Sequence, residues 1–597
     1  MTQHLPLDNA PTPPAGRTSR RALLIGGSTA LVAGCTSGSA KASSTPPSTA
    51  TGSTSAAAAT SAASSTESAS APSAAGTTTS AGATSVTGST SQAPAGVRMP
   101  GLAPVGDAPP PAYSAVEVPA TRVAAAIAAV DGVVADVMSR SGVPGMAVAV
   151  VTGGKVVYAK GFGLREVGKP EKITADSVFQ IASCSKSLGS TAVAWAITQG
   201  KLTWADKVTQ HLPEFRLSDP AVTAMLQISD CYSHRTGLPG AAGDDLEGFG
   251  FDRTQILQRI GVLPLNPFRI TYNYTNFGLT TGGQAAAAAT GMSWEDLQEE
   301  ALYKPLGMTS SSSRHADYLA RTNRAILHYP VNGKFEPVYV RDPDAQAPAG
   351  GVSSSVNDMA KWLMLTLAGG KIGGRKHIDP AVLQEAHNAH IANSPAEVAG
   401  ERSEFYGYGF NNETTSTGHV RWGHSGAFYV GAATAYGIVP AADAGIIVLT
   451  NGAPVGAPEA VAYAFTDMVR TGVVERDWYG FYNPQFKNLF VNNSKVAGKR
   501  PANPAKPRPA SAYVGTYSND YVGDVVITAG GETLTLTLGP KKLHATLNPW
   551  DGDTFSWLAP GGNGDPITAV TFSGNSGGKA TEVNIELLQK SDLERRS

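Results

Sequence analysis

The sequence predicts an α/β domain in which a sheet packs against helices, followed by a small all-β domain. Three features point to it. A helical pattern and an apolar hairpin stand side by side near the start of the folded region, strand patterns return near residue 420, and the texture changes to short alternating strands after a Pro- and Lys-rich stretch.

Folded sequence begins near Val116. AAAIAAVDGVVADVMSRSG spaces its apolar residues at helical intervals and ends on a glycine. GMAVAVVTGGKVVYAKGFG follows, two apolar runs parted by Gly153-Gly154, and reads as a hairpin. A second helix opens in IASCSKSLGSTAVAWAITQG, residues 181–200. Residues 190–375 are mainly helix and loop, with ALYKPLGM and VNDMAKWLMLTLAGG as helical pieces. The strand patterns VRWGHSGAFYVGAATAYGIVP and GIIVLTNG then return, so strands from both ends of the domain are expected to share one sheet. After KRPANPAKPRPA, the stretches YVGTYSND, DVVITAGGETLTLTLGP, ITAVTFSGN and EVNIELLQ alternate polar and apolar residues between glycine-rich turns.

The N-terminal part is of another kind. Ser19-Arg20-Arg21 precedes the weakly polar run ALLIGGSTALVAG and then Cys35, the layout of an export signal whose apolar core is too short to span a bilayer. From Thr36 the chain is almost wholly Ser, Thr, Ala, Gly and Pro, too poor in apolar surface to offset the entropy of ordering it, and is expected to be a disordered stalk. The expected organisation is an export signal at 1–35, a linker at 36–115, the α/β domain at 116–480, a second linker at 481–508 and the all-β domain at 509–597.

Composition narrows the function. With 46 Lys and Arg against 47 Asp and Glu and no basic run interleaved with aromatics, nucleic acid is not an expected partner. His387 and His390 sit three apart but lack a third ligand pattern or a glutamate between them, so they read as a solvated helix face and no metal site is expected. Beyond Cys35 only Cys184 and Cys231 remain; in an oxidising compartment they either pair or stay as isolated apolar thiols, and two cysteines make no disulfide framework.

Ser183 and Lys186, three apart at a helix start, would present hydroxyl and amine to one space. A serine needs a base, and a lysine serves if burial disfavours its ammonium; a helix N-terminus also offers N–H groups to an oxyanion. Yet about one Ser-x-x-Lys is expected by chance in a Ser-rich chain of this length. Two further elements decide. Tyr274-Thr275-Asn276 lies in FRITYNYTNFGLTTGG, and His424-Ser425-Gly426 lies on an expected strand.

With these motifs the chain resembles the serine β-lactamase and penicillin-binding protein superfamily, most closely its class C-like branch, which includes D-amino-acid peptidases and carboxylesterases. The likeness spans roughly residues 120–475 and includes SHRTGLPG, KPLGMTSS, PAGGVSSSVNDMAKWL and YGYGF. It implies a β-lactamase/transpeptidase-like fold, an antiparallel sheet flanked by helices with a mainly helical subdomain. The tail, with YVGTYSNDYVG and WDGDTFSW, resembles a small β-barrel often appended in this group, and it contributes no motif to the constellation.

The resemblance also implies roles. Ser183 is acylated, Lys186 takes or holds the proton, and Tyr274 is general base and acid across from them. Asn276 bonds Lys186 and the substrate amide, and the backbone N–H groups of Ser183 and Ala427 form the oxyanion hole. The third motif has His424 where many lactamases have lysine, so a substrate carboxylate meets a weaker cation there; Arg421 on the same strand either replaces it or is a solvated edge residue. Val32-Ala33-Gly34-Cys35 resembles a bacterial lipobox and the paired arginines resemble the twin-arginine export route, which imply a lipid anchor on Cys35 and a site outside the cytoplasm. The expected enzyme is therefore an exported, cofactor-free serine hydrolase of the β-lactamase, D-alanyl-D-alanine carboxypeptidase or esterase type. Its substrate is a small molecule or peptide, with peptidoglycan fragments among the candidates, and the choice among β-lactam, D-peptide and ester stays open. The rival from another class is a catalytically silent envelope-binding protein, against which intact Ser183, Lys186 and Tyr274 argue.

If Cys35 carries the anchor, the full-length protein partitions with membranes and Cys35→Ser is released or left unprocessed. Unchanged membrane association of that variant on fractionation contradicts the assignment.

Overall fold

The computed structural model describes residues 113–559 and 567–597; the expected export signal, Cys35 and nearly all of the expected linker at 36–115 lie outside them. Helix α1 (Ala120–Ser141) ends at Gly142, whose left-handed φ of 70° lets its N–H reach the Met138 carbonyl. Strands β1 (Gly145–Thr152) and β2 (Lys155–Gly163) form the expected hairpin. Its two turn residues have φ of 59° and 66°, which is why both are glycine.

The principal sheet is antiparallel and closes strands from the two ends of the domain onto each other. Its later strands are β3 (Ile391–Ser394), β4 (Glu404–Tyr406), β5 (Asn411–Thr414), β6 (Val420–Phe428), β7 (Ala432–Val439) and β8 (Ala444–Thr450), in the order β2-β1-β8-β7-β6-β5-β4-β3. Val148 stands opposite Val448. Both faces are covered, so β1 and β8 are almost wholly apolar instead of alternating.

Ala147, Ala149 and Val151 face a core shared with helix α2 (Ser185–Thr198), helix α3 (Asn276–Thr290) and helix α4 (Val356–Leu367). Met146, Val148 and Val150 face α1 and helix α5 (Ala457–Thr471), against Val130, Val134, Val461 and Phe465. The sheet is thus sandwiched between helical layers, and helix α2, which carries Lys186, lies on the first face. The ALYKPLGM segment forms a π-helical turn (Glu299–Tyr303) and a short helical turn that stops at Gly307. Helix α6 (Trp478–Asn488) occupies the start of the stretch expected as the second linker.

The tail is a closed barrel of eight antiparallel strands, β9 (Gly515–Asn519), β10 (Gly523–Gly530), β11 (Thr533–Leu538), β12 (Leu543–Asp551), β13 (Thr554–Leu558), β14 (Ile567–Ser573), β15 (Glu582–Ile585) and β16 (Asp592–Arg595). In TLTLTL of β11 each leucine is buried and each threonine faces outward, the alternation that a barrel wall requires. The barrel interior is not a separate core. Tyr517, Tyr521 and Trp557 belong to one apolar cluster with Phe249, Ile256 and Phe277 of the helical section, so the two parts are welded together by shared burial.

Candidate active site

Ser183 lies in a single 3-10 turn (Ala182–Cys184) directly before α2. The residue before it, Ala182, has φ of 46°, a left-handed conformation uncommon for a side chain with Cβ, and this kink ends the short strand Phe179–Gln180 and starts the helix. The kink is held from outside: Ile181 N–H donates to Val352 O at 2.9 Å and Thr434 Oγ1 donates to Ile181 O at 2.8 Å.

One helical turn on, Lys186 is fully buried. Its Nζ lies 3.1 Å from Ser183 Oγ, 2.7 Å from Asn276 Oδ1 and 2.9 Å from the Ala349 carbonyl. Asn276 Oδ1 and the Ala349 carbonyl only accept. A neutral amine has two N–H donors and one lone pair. When Lys186 gives its donors to those acceptors, the lone pair is left for the Ser183 hydroxyl. Burial is also what makes the neutral form accessible, lowering the lysine pKa from 10.5 to about 7, with Asp244 and Cys184 opposing the shift. A charged amine here costs on the order of 5 kcal/mol relative to water, comparable with the stability of a whole domain.

Tyr274 stands across from this pair, its ring centroid 4.6 Å from Lys186 Nζ. Its hydroxyl is buried without a well-formed hydrogen bond. Burial holds its pKa well above 10, and the facing Ser183 hydroxyl lowers it in part. Asn276 opens α3, and its Nδ2 donates to both carboxylate oxygens of Asp244 at 3.3 and 3.1 Å. Because a carboxylate accepts, this bond fixes the amide orientation and turns Oδ1 to Lys186.

Strand β6 splits the third motif between two faces, as the twofold side-chain alternation of a strand requires. Gly426 packs on the Ser183 turn: a Cβ there would lie 2.4 Å from Ile181 O and 2.9 Å from Ser183 N, which explains the glycine. His424 points to the same face, beside Tyr274 and Tyr406. Arg421 and Ser425 point to the other. Arg421 is not a cation of this site; its guanidinium pairs with Glu413 at 2.8 Å and lies 3.8 Å over the Tyr463 ring, and the Ser425 hydroxyl donates to the buried Glu459. The pairing of β5 with β6 ends at Asn411–Gly423, so among the described residues, 424–428, Ala427 included, have no strand partner on that side.

His424 is buried, and both its nitrogens are engaged. Nδ1 donates to the Ser425 carbonyl at 2.6 Å, and Nε2 accepts from Tyr406 Oη at 2.8 Å. Burial, reinforced by Lys186, lowers its pKa to about 3, so it is a neutral ring near pH 7.

Four groups absent from the sequence-level assignment complete the site. Ala349 O lies in PAGGVSSSVNDMAKWL and Tyr406 in YGYGF, stretches marked by the resemblance. His234, in SHRTGLPG, accepts from Thr275 N–H at Nδ1 (3.2 Å) and accepts Asn273 N–H at its carbonyl (2.9 Å), bracing the Tyr274 segment. Asp244 belongs to no quoted motif; among acidic residues elsewhere in the chain nothing in the sequence marks it.

The histidine pair departs from expectation, and the open alternative at the cysteines is decided for unpaired thiols. His387 is not solvated but buried, stacked on Trp422 at 4.0 Å between centroids, with its pKa lowered by burial to about 3; His390 stacks on Tyr408. Cys184 and Cys231 are both free and buried.

Comparison with known proteins gives a consistent set of similarities. The beta-lactamase family model matches residues 130–467, and a domain of unknown function, DUF3471, matches residues 499–596. The chain is 29% identical over 242 residues to the unguisins hydrolase ungD' of Aspergillus campestris, covering 38% of this chain and 45% of that protein, and so spans less than half of that relative. It is 23% identical to the unguisins hydrolase ungD of Aspergillus violaceofuscus, covering 68% of this chain and 76% of that one. It is 28% identical to penicillin-binding protein 4 of Amycolatopsis lactamdurans, covering 48% of this chain and 71% of that one. Among solved structures, the octameric penicillin-binding protein homologue from Pyrococcus abyssi is similar in fold, with a TM-score of 0.51 at 19% identity over 78% of this chain and 99% of the other.

The site predicts its own pH dependence. Lys186 must lose a proton to accept one from Ser183, so the rate of Ser183 modification by a neutral acylating reagent rises with pH to a plateau, with a midpoint at about 7. Glu459, which burial raises to about 7, titrates in the same window but lies on the other face of β6. Glu459→Gln therefore keeps the midpoint; its loss in that variant would move the base from Lys186 to the glutamate.

Proposed function

The chain belongs to the beta-lactamase family, and from that premise we propose that it is an exported serine hydrolase that forms an acyl-enzyme on Ser183. The observation that carries the proposal is the Lys186 amine, buried, 3.1 Å from Ser183 Oγ, with acceptors at its other two contacts. Ser183 Oγ attacks a substrate carbonyl as its proton passes to the Lys186 lone pair. Tyr274, facing both, hands a proton to the leaving group and on the return step draws one from the attacking water, while Lys186 gives its proton back to Ser183 Oγ as the acyl bond breaks. The backbone N–H groups of Ser183 and Ala427 receive the oxyanion, and the Asn276 amide steadies Lys186. The hydrolase and penicillin-binding relatives support this class of reaction.

The substrate class follows from His424. A ring that is neutral near pH 7 with both nitrogens occupied offers no cation to a carboxylate, so uncharged esters and peptide-type carbonyls are favoured over carboxylate-bearing β-lactams. Arg20-Arg21 and Cys35 support a site of action outside the cytoplasm, at a membrane surface.

The purified protein is expected to label with a fluorophosphonate, and to lose the label and about 10³-fold or more in ester turnover in Ser183→Ala. Its kcat/KM for an activated short-chain ester is expected to exceed that for a carboxylate-bearing β-lactam at pH 7. Absence of label in the wild type, or label persisting in Ser183→Ala, contradicts the nucleophile; a preference for the β-lactam contradicts the substrate class.

A further inference from the structure

We infer that Tyr521 of the barrel is a positioning residue for Lys186, acting through the turn Gly243–Asp245 and Asn276; the inference rests on Lys186 being the base of the proposed reaction. Asn276 turns its Oδ1 to Lys186 while its Nδ2 is held by Asp244. Asp244 sits at the head of a five-residue helix (Asp244–Gly248) entered through Gly243, whose φ of 88° and lack of a side chain let it fit against Ile256 and Phe277. So short a helix has little rigidity of its own.

Its anchors come from the barrel, on both sides of Asp244. Tyr521 Oη accepts from Gly243 N–H at 3.2 Å and donates to Asp245 Oδ1 at 2.5 Å. Gln589 N–H donates to Asp245 Oδ2 at 2.8 Å, and its Nε2 donates to Gly240 O at 3.1 Å. Tyr521 is itself fully buried and fixed by Arg259, which donates to its carbonyl at 2.8 Å. The same turn reaches Tyr274, since Ala241 N–H donates to the Tyr274 carbonyl at 2.9 Å. The barrel, an accessory module by sequence, thus lies four side chains from the reacting amine: Tyr521, Asp245, then its neighbour Asp244, then Asn276.

The charged and titratable groups facing Lys186 are Asp244, Cys184, Tyr274, His234 and His424. Of these Asp244 and Cys184 favour the ammonium, as does the Asn276 oxygen. Loosening the turn draws Asp244 and the Asn276 oxygen away and makes the amine easier to deprotonate but worse aimed.

The test is Tyr521→Phe in the full chain, which keeps the ring and removes the hydroxyl. Lys186 is titrated by carbon-13 NMR of labelled lysine, assigned by its absence in Lys186→Met. The expected result is a Lys186 midpoint about half a pH unit lower, moving in the same direction as in Asp244→Asn. Ester turnover is expected to lose about threefold to tenfold in kcat with KM little changed. In Asp244→Asn/Tyr521→Phe the two midpoint shifts are expected to add to less than their sum, as for residues acting in series. A Lys186 titration in Tyr521→Phe identical to the wild type overturns the inference, as does fully additive behaviour. If the midpoint moves but the wild type forms no acyl-enzyme, the positioning role stands and the hydrolase reading falls. Should Tyr521→Phe fail to fold, Asp245→Asn, which keeps the shape and removes the charge accepting the Tyr521 proton, carries the same expectations.

Discussion

The site is organised around one buried amine. Lys186 has been taken out of water and surrounded by a carbonyl, an amide oxygen and a hydroxyl, and that environment decides its protonation. Removing water makes the neutral lysine accessible near pH 7. The two pure acceptors then dictate where its remaining lone pair points. Much of the surrounding structure serves this arrangement: the kink at Ala182 sets the serine, α3 brings the amide, and the segment before α4 brings the carbonyl.

Sequence revealed the parts that are encoded by local chemistry. The helix ending at Gly142, the two-glycine hairpin and the leucine–threonine alternation of β11 are visible because each is set by near neighbours in the chain. Ser183, Lys186, Tyr274 and Asn276 were legible as an ordered set of motifs, and the structure brings all four together. Asp244 and Tyr521 were not, because their importance comes from tertiary contacts with residues 32 and 276 positions away along the chain. Arg421 and His387 show the limit from the other side. A charge on a strand and a histidine on a helix carry no label for the face they take, and only the packed sheet sends Arg421 to Glu413 and His387 to Trp422.

The alternation of β6 gives the third motif two separate duties. His424 and Gly426 face Ser183 and Tyr274, the glycine by admitting the Ser183 turn at contact distance and the histidine by packing a neutral ring against Tyr406. Ser425 ties the strand to α5 through Glu459 on the opposite face. Contact with the Ser183 turn and strand anchoring are thus written in adjacent residues but on opposite sides of the sheet. The barrel adds a third layer, since its shared apolar cluster with the helical section fixes the turn from which Asn276 is aimed.

The most direct measurement is a neutron structure of the protein crystallised above pD 8, where hydrogens at Lys186 are seen individually. A neutral lysine base carries two deuterons on Nζ, directed at Asn276 Oδ1 and Ala349 O, with the Ser183 deuteron directed at Nζ, and that is the expected result. Three deuterons on Nζ, one of them pointing at Ser183 Oγ, would contradict a neutral lysine base.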